Sequence, residues 1–231
     1  MIKKFFLIAF LLVIFDNCLC SQTRRFLDNY RDYRDSIINI TNKYLTVKGV
    51  ELKPGLKMVD LLHRLESKGF KKTKDSKYTE EKYGIFDLSG LFYSRICTIK
   101  ILPLKSDKTI VGMIGVEFPK ENSFKILKEE YDELKSALSK KYSIYSCVES
   151  FDKEYVEHSS SDILKLQALS NNEATFQTKF YISDDPHSGL LGQVSLNISA
   201  ITVDYSSYYY VSLVYCTPDD IYEQLTKGDD L

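Results

Sequence analysis

A helical stripe followed by a group of alternating strands occurs twice in this chain, and that order leaves few folds open. Met58, Leu61, Leu62 and Leu65 fall at i, i+3, i+4 and i+7, so four apolar side chains share one side of a helix. Gly69 stands where a left-handed cap would end it, and Phe70 can fold back over the last turn. From Lys82 the period shortens to two. Phe86 and Leu88 alternate with polar neighbours, Ser89-Gly90 reads as a turn, and Cys97, Ile99 and Ile101 continue the pattern to Pro103. After a turn at Ser106-Asp107, Ile110, Ile114, Val116 and Phe118 share a face. Three strands joined by short turns make an antiparallel meander.

The second cycle opens after Pro119. Asn122 or Ser123 caps a helix whose Phe124, Leu127, Tyr131, Leu134 and Leu138 form one stripe, with Lys and Glu opposite. Such a helix lies on a sheet and does not stand alone. Residues 142–148 read as a strand, 151–172 as a mixed segment with a short helix, and three longer strands follow. Their inward sets are Phe176, Phe180 and Ile182, then Val194, Leu196, Ile198 and Ala200, then Tyr209, Val211, Leu213 and Tyr215. The expected fold is α+β, a large antiparallel sheet with two main helices packed on one face. The helix-then-strands order suggests a pseudo-repeat, although no residue-level match joins the halves.

Ahead of the first cycle, Lys3 and Lys4 precede the apolar run 5–15, which Asp16 and Asn17 stop. That run is too short to span a membrane and reads as a secretory signal. Cleavage is expected after Cys20 or Ser21. A lipid anchor on Cys18 or Cys20 is disfavoured, because Asn17 and Leu19 are not the small residues wanted before a lipidated cysteine. The expected organisation is a signal peptide over 1–21, a polar segment over 22–46, an α+β domain over 47–217 and a fraying acidic tail over 218–231. Within the polar segment Phe26, Tyr30, Tyr33, Ile37 and Ile38 allow a thin amphipathic helix, and 47–52 is a strand candidate.

Export bears on the thiols. Cys97, Cys147 and Cys216 remain after cleavage, and an odd number allows at most one internal pair. Cys147 and Cys216 are the preferred disulfide; three buried free thiols are the alternative. Charge divides along the chain, with 25 basic and 17 acidic residues over 21–141 against 4 and 14 over 142–231. In a single interleaved domain, the expected case, the two sets would mix; opposite-sign surfaces would require two domains.

Groups for catalysis are few. His63, His158 and His187 show no metal-ligand spacing, and the paired aspartates lack the alternating oxygens and glycine of a calcium loop. No glycine-rich phosphate loop is present. No catalytic set, no cofactor and no metal is expected, and charge and export alike argue against nucleic acid as a partner. Lys68, Lys71, Lys72, Lys74 and Lys77 would suit an anionic surface, or form a solvated loop.

Tyrosine is the compositional oddity, with 17 in a chain that has no Trp. Around Tyr205-Ser206-Ser207-Tyr208-Tyr209-Tyr210 a strand places Tyr on both faces, so Tyr208 and Tyr210 point away from the inward set. Tyr205, Tyr208 and Tyr210 are the candidate binding residues, because Tyr buries area while freezing few rotors.

The run Lys48-Gly49-Val50-Glu51-Leu52, then Leu61-Leu62 with Lys68-Gly69-Phe70, Leu88-Ser89-Gly90, Phe118-Pro119 and the final strand 211–215 resemble a family of uncharacterised exported proteins of the Bacteroidota type. The resemblance implies a periplasmic or surface location and carries no catalytic residues. The helix feeding an antiparallel sheet also resembles the β-lactamase-inhibitor-protein fold, which implies protein binding. The expected function is an exported non-enzymatic module that binds an envelope or secreted protein. A glycan-binding accessory protein is the alternative, and a cysteine-dependent enzyme a third.

Overall fold

A computed structural model of the protein describes residues 43–184, 186–204 and 206–227. The expected signal, the first amphipathic helix, Tyr205 and the last four residues lie outside that range. Ten strands and six helices are described: β1 (Thr46–Val47), β2 (Val50–Glu51), α1 (Met58–Glu66), β3 (Lys71–Lys72), α2 (Ser76–Tyr83), β4 (Phe86–Phe92), β5 (Arg95–Pro103), β6 (Val111–Glu117), α3 (Phe124–Ser139), β7 (Ser143–Phe151), α4 (Glu154–Glu157), α5 (Asp162–Ser170), β8 (Ala174–Tyr181), β9 (Gln193–Val203), β10 (Ser206–Cys216) and α6 (Pro218–Lys227). Eight strands form one sheet in the order β3-β4-β5-β6-β10-β9-β8-β7, every neighbour antiparallel. The α+β architecture is as the periodicity predicts.

The register fixes what each face carries. Leu213 lies opposite both Val116 and Leu196, and Tyr215 opposite Ile114 and Val194. Partners across a ladder share a face, so these residues form one apolar layer. Helices α1, α3 and α5 supply its cover through Leu61, Leu65, Leu127, Tyr131, Leu134 and Leu169, all in one contiguous core. Helix α1 ends as its sequence requires: Gly69 has φ +91°, and the Phe70 amide returns to the Leu65 carbonyl at 3.2 Å.

Four local expectations are corrected. Residues 47–52 are not one strand: Lys48 and Gly49 both take positive φ, making a two-residue hairpin turn between β1 and β2. Ser89-Gly90 is not a turn, because β4 runs through it and the chain reverses at Tyr93-Ser94, again with positive φ at both. Helix α2 was not expected, since its sequence has no apolar stripe and buries only Ser76. The acidic tail does not fray as far as Lys227. Thr217 Oγ1 accepts the Asp220 amide at 3.2 Å, Pro218 opens α6, and Ile221 and Leu225 pack on the core.

The two charge sets belong to a single eight-stranded sheet with one core. Strands β3–β6 form one half of the sheet and β7–β10 the other, meeting at the β6–β10 ladder. Helix α3, from the basic half of the sequence, lies on β8, β9 and β10 and so carries its lysines over the acidic half. The element order helix, strand, helix region, three strands occurs in both halves. That recurrence is of order only: α1 has 9 residues and α3 has 16.

Candidate functional site

Strand alternation sorts the tyrosines of β10. Tyr209 and Tyr215 are buried in the core layer, and the Tyr209 hydroxyl meets Ser170 Oγ of α5 at 2.7 Å. Tyr208 and Tyr210 therefore stand on the opposite, half-exposed face. Both line a groove of about 380 Å³. Its lining includes the pair Lys100 Nζ–Glu117 Oε1 at 2.7 Å, and the Lys120 ammonium sits 3.7 Å from the centre of the Tyr208 ring. Burial raises the Tyr210 phenol pKa and the Glu117 carboxylate raises it further, while Lys100 opposes. Tyr210 is thus a neutral hydrogen-bond donor near neutral pH.

Apolar side chains edge this groove. Ile96 is 69% exposed, and Ile201 and Val203 are each close to half exposed. Leu91, directly across the ladder from Ile96, is also exposed. Sequence reasoning followed only the inward set of β9, ending at Ala200. The odd-numbered Ile201 and Val203 continue the same strand on its other face, and that change of parity was the available signal. Farther along this face the polar side chains bond one another: Gln177 Nε2 to Asn197 Oδ1 at 2.8 Å, and Ser199 Oγ with Ser212 Oγ at 3.0 Å.

The expected Cys147–Cys216 disulfide is not formed; both are free thiols, as is Cys97. Strands β8 and β9 lie between β7 and β10, which puts the two cysteines about three strand spacings, roughly 14 Å, apart. Burial pushes the Cys97 thiol up to about 11 and the Cys216 thiol up to about 12, with Glu130 and Asp220 respectively adding to it. Cys147 is exposed on the edge strand. Its sulfur is 3.1 Å from Lys135 Nζ and 3.3 Å from Glu149 Oε1, and it accepts from Thr178 Oγ1 at 3.4 Å.

His63 pairs with Glu66 at 3.6 Å on α1, and His158 with Glu154 at 3.8 Å beside α4; the His187 side chain lies outside what is described. Among the described residues no three His, Cys, Asp or Glu side chains are grouped to hold a metal ion. The lysine cluster disperses: Lys72 pairs with Glu80 at 2.7 Å and Lys77 with Glu81, while Lys68 reaches the β1–β2 hairpin. No helix among the described residues is long and apolar enough to cross a membrane. Set against known protein families, curated proteins and solved structures, the chain has no significant match.

Proposed function

We propose that the protein is an exported, non-enzymatic binding module that recognises another protein of the envelope or extracellular space through the uncovered face of its sheet. The observation that carries this reading is the groove lined by Tyr208 and Tyr210 of β10, with the exposed Ile96 of β5 on one flank and the exposed Ile201 and Val203 of β9 on the other. Aromatic rings beside an apolar edge supply the anchor that protein interfaces concentrate at their centres. Lys100 is neutralised by Glu117, which disfavours a polyanion such as nucleic acid at this place. Export rests on the signal-like residues 1–21 and agrees with the resemblance to exported proteins.

A glycan is the second reading, favoured by the Gln177–Asn197 and Ser199–Ser212 rungs next to Tyr210. The two readings use different residues. Crosslinked capture from envelope and culture medium would be run with the mature chain, with Ile96→Asp plus Ile201→Asp, and with Gln177→Ala plus Asn197→Ala. A protein partner lost only with the isoleucine variant supports protein recognition. Retention of every partner by that variant and by Tyr208→Ala plus Tyr210→Ala would sink it, and glycan-array signal lost with the amide variant would favour the alternative.

A further inference from the structure

A second cavity, of about 390 Å³, opens where the β1–β2 hairpin, the β4–β5 turn and the end of α3 meet. Its volume falls in the range of small-molecule sites. Phe92, Leu138 and Tyr215 give it an apolar floor, and Lys48 and Lys141 stand at its mouth. A third ammonium joins them: Lys68 Nζ is 3.9 Å from where Gly49 would carry a Cβ. Among the described residues no carboxylate lies within ion-pairing distance of any of these three lysines. Elsewhere on the protein, lysines with a carboxylate in reach make such pairs, as Lys72, Lys100, Lys128 and Lys153 do.

Three phenols converge on the same space. The Tyr142 hydroxyl accepts the Thr46 amide at 3.1 Å and so ties the hairpin to the end of α3. Lys141 also reaches the Thr46 hydroxyl. Tyr215 is only 2% exposed, yet it lines the cavity and its hydroxyl has no hydrogen-bond partner among the described residues. Lining the cavity, its phenol is a donor available to an acceptor bound there. Burial raises the pKa of Tyr215 and of Tyr93, with the neighbouring Tyr142 adding to both, so each presents a proton and not a charge.

We propose that this cavity binds a small organic oxyanion, its charged end held by Lys48, Lys141 and the phenols of Tyr93 and Tyr215 and its apolar body resting on Phe92 and Leu138. The site is separate from the sheet-face groove, and neither assignment depends on the other.

Phenyl phosphate is a suitable probe, titrated calorimetrically against the mature chain beside inorganic phosphate alone and phenol alone. Saturable binding of phenyl phosphate is expected, tighter than either half and weakening as salt is raised. Lys48→Ala plus Lys141→Ala should weaken it at least about tenfold, and Tyr215→Phe about three- to tenfold, as loss of charged and neutral hydrogen bonds respectively requires. Circular dichroism would establish that these variants stay folded; Lys48 and Lys141 are exposed, so their loss leaves the core intact. No saturation at millimolar probe, or equal affinity in the double lysine variant, overturns the proposal. Binding to phosphatidate vesicles without binding to phenyl phosphate also overturns it, since the lysines would then serve a membrane surface.

Discussion

The guanidinium of Arg95 at the start of β5 reaches Glu130 of α3, with Nη1 and Oε1 2.9 Å apart. The Glu130 side chain is 1% exposed, and neither of its oxygens has a hydrogen-bond partner among the described residues, so the ion pair with Arg95 is what faces its charge. One exposed-side cation therefore offsets one buried carboxylate, joining the first half of the sheet to the helix that covers the second.

Removal of Arg95 leaves that charge buried. Arg95→Ala should cost about 3 kcal/mol at neutral pH, the lower end for breaking a buried pair because Arg95 is itself partly exposed. Burial raises the Glu130 pKa and Arg95 opposes the rise. The folded chain thus holds this proton more tightly than the unfolded chain, so its contribution is fully present in acid and is lost as pH rises through the folded pKa. The cost of Arg95→Ala should shrink on acidification, when Glu130 is neutral. Urea unfolding at pH 7 and near pH 4.5 checks this, and an equal loss at both would count against it.

Glu149 should behave in the opposite sense. Burial disfavours its charge, but hydrogen bonds from Lys135 and Cys147 with the nearby Lys128 hold its pKa below the usual carboxylate value. Its stabilisation is present above the unfolded pKa and lost as pH falls through the lower folded one. Lys135→Met should cost about 1 kcal/mol at pH 7, as a part-exposed ion pair does. The cost should fade below the ordinary carboxylate pKa. Parallel acid titrations of the variant and the parent protein would show it as converging unfolding curves.

Gly90 lies mid-strand with no positive φ, so its role is space. A Cβ there would stand 2.5 Å from Cδ1 of Phe70, which is almost fully buried and has nowhere to move. Gly90→Ala should destabilise by about 1–3 kcal/mol through overpacking. Adding Phe70→Leu should recover part of the loss. Two losses that simply add in the thermal midpoint would contradict the contact.

The thiols should separate by accessibility. Iodoacetamide on the folded chain should alkylate Cys147 well before Cys97 or Cys216, whose buried thiols are held protonated. Peptide mass spectrometry resolves the three. Equal labelling of all three before unfolding would mean that the core around Cys97 and Cys216 opens readily.

The sequence by itself determined the sheet-and-helix class, the α1 and α3 stripes, the Gly69 cap and the inward sets of β5, β6, β8, β9 and β10. Those features depend on contacts a few residues apart or on strand parity, and local chemistry is enough to specify them. Parity also separated Tyr208 and Tyr210 from Tyr209. Tertiary structure alone decided which strands neighbour one another, and hence that Cys147 and Cys216 are too far apart to pair. It alone showed Gly90 making room for Phe70, where a glycine after Ser89 had read as a turn. Both candidate cavities were beyond the sequence for the same reason. Lys48, Lys68 and Lys141, like Ile96 and Ile201, come from distant segments, and only the β1–β2 hairpin, the β4–β5 turn and the β9–β10 ladder bring them within reach.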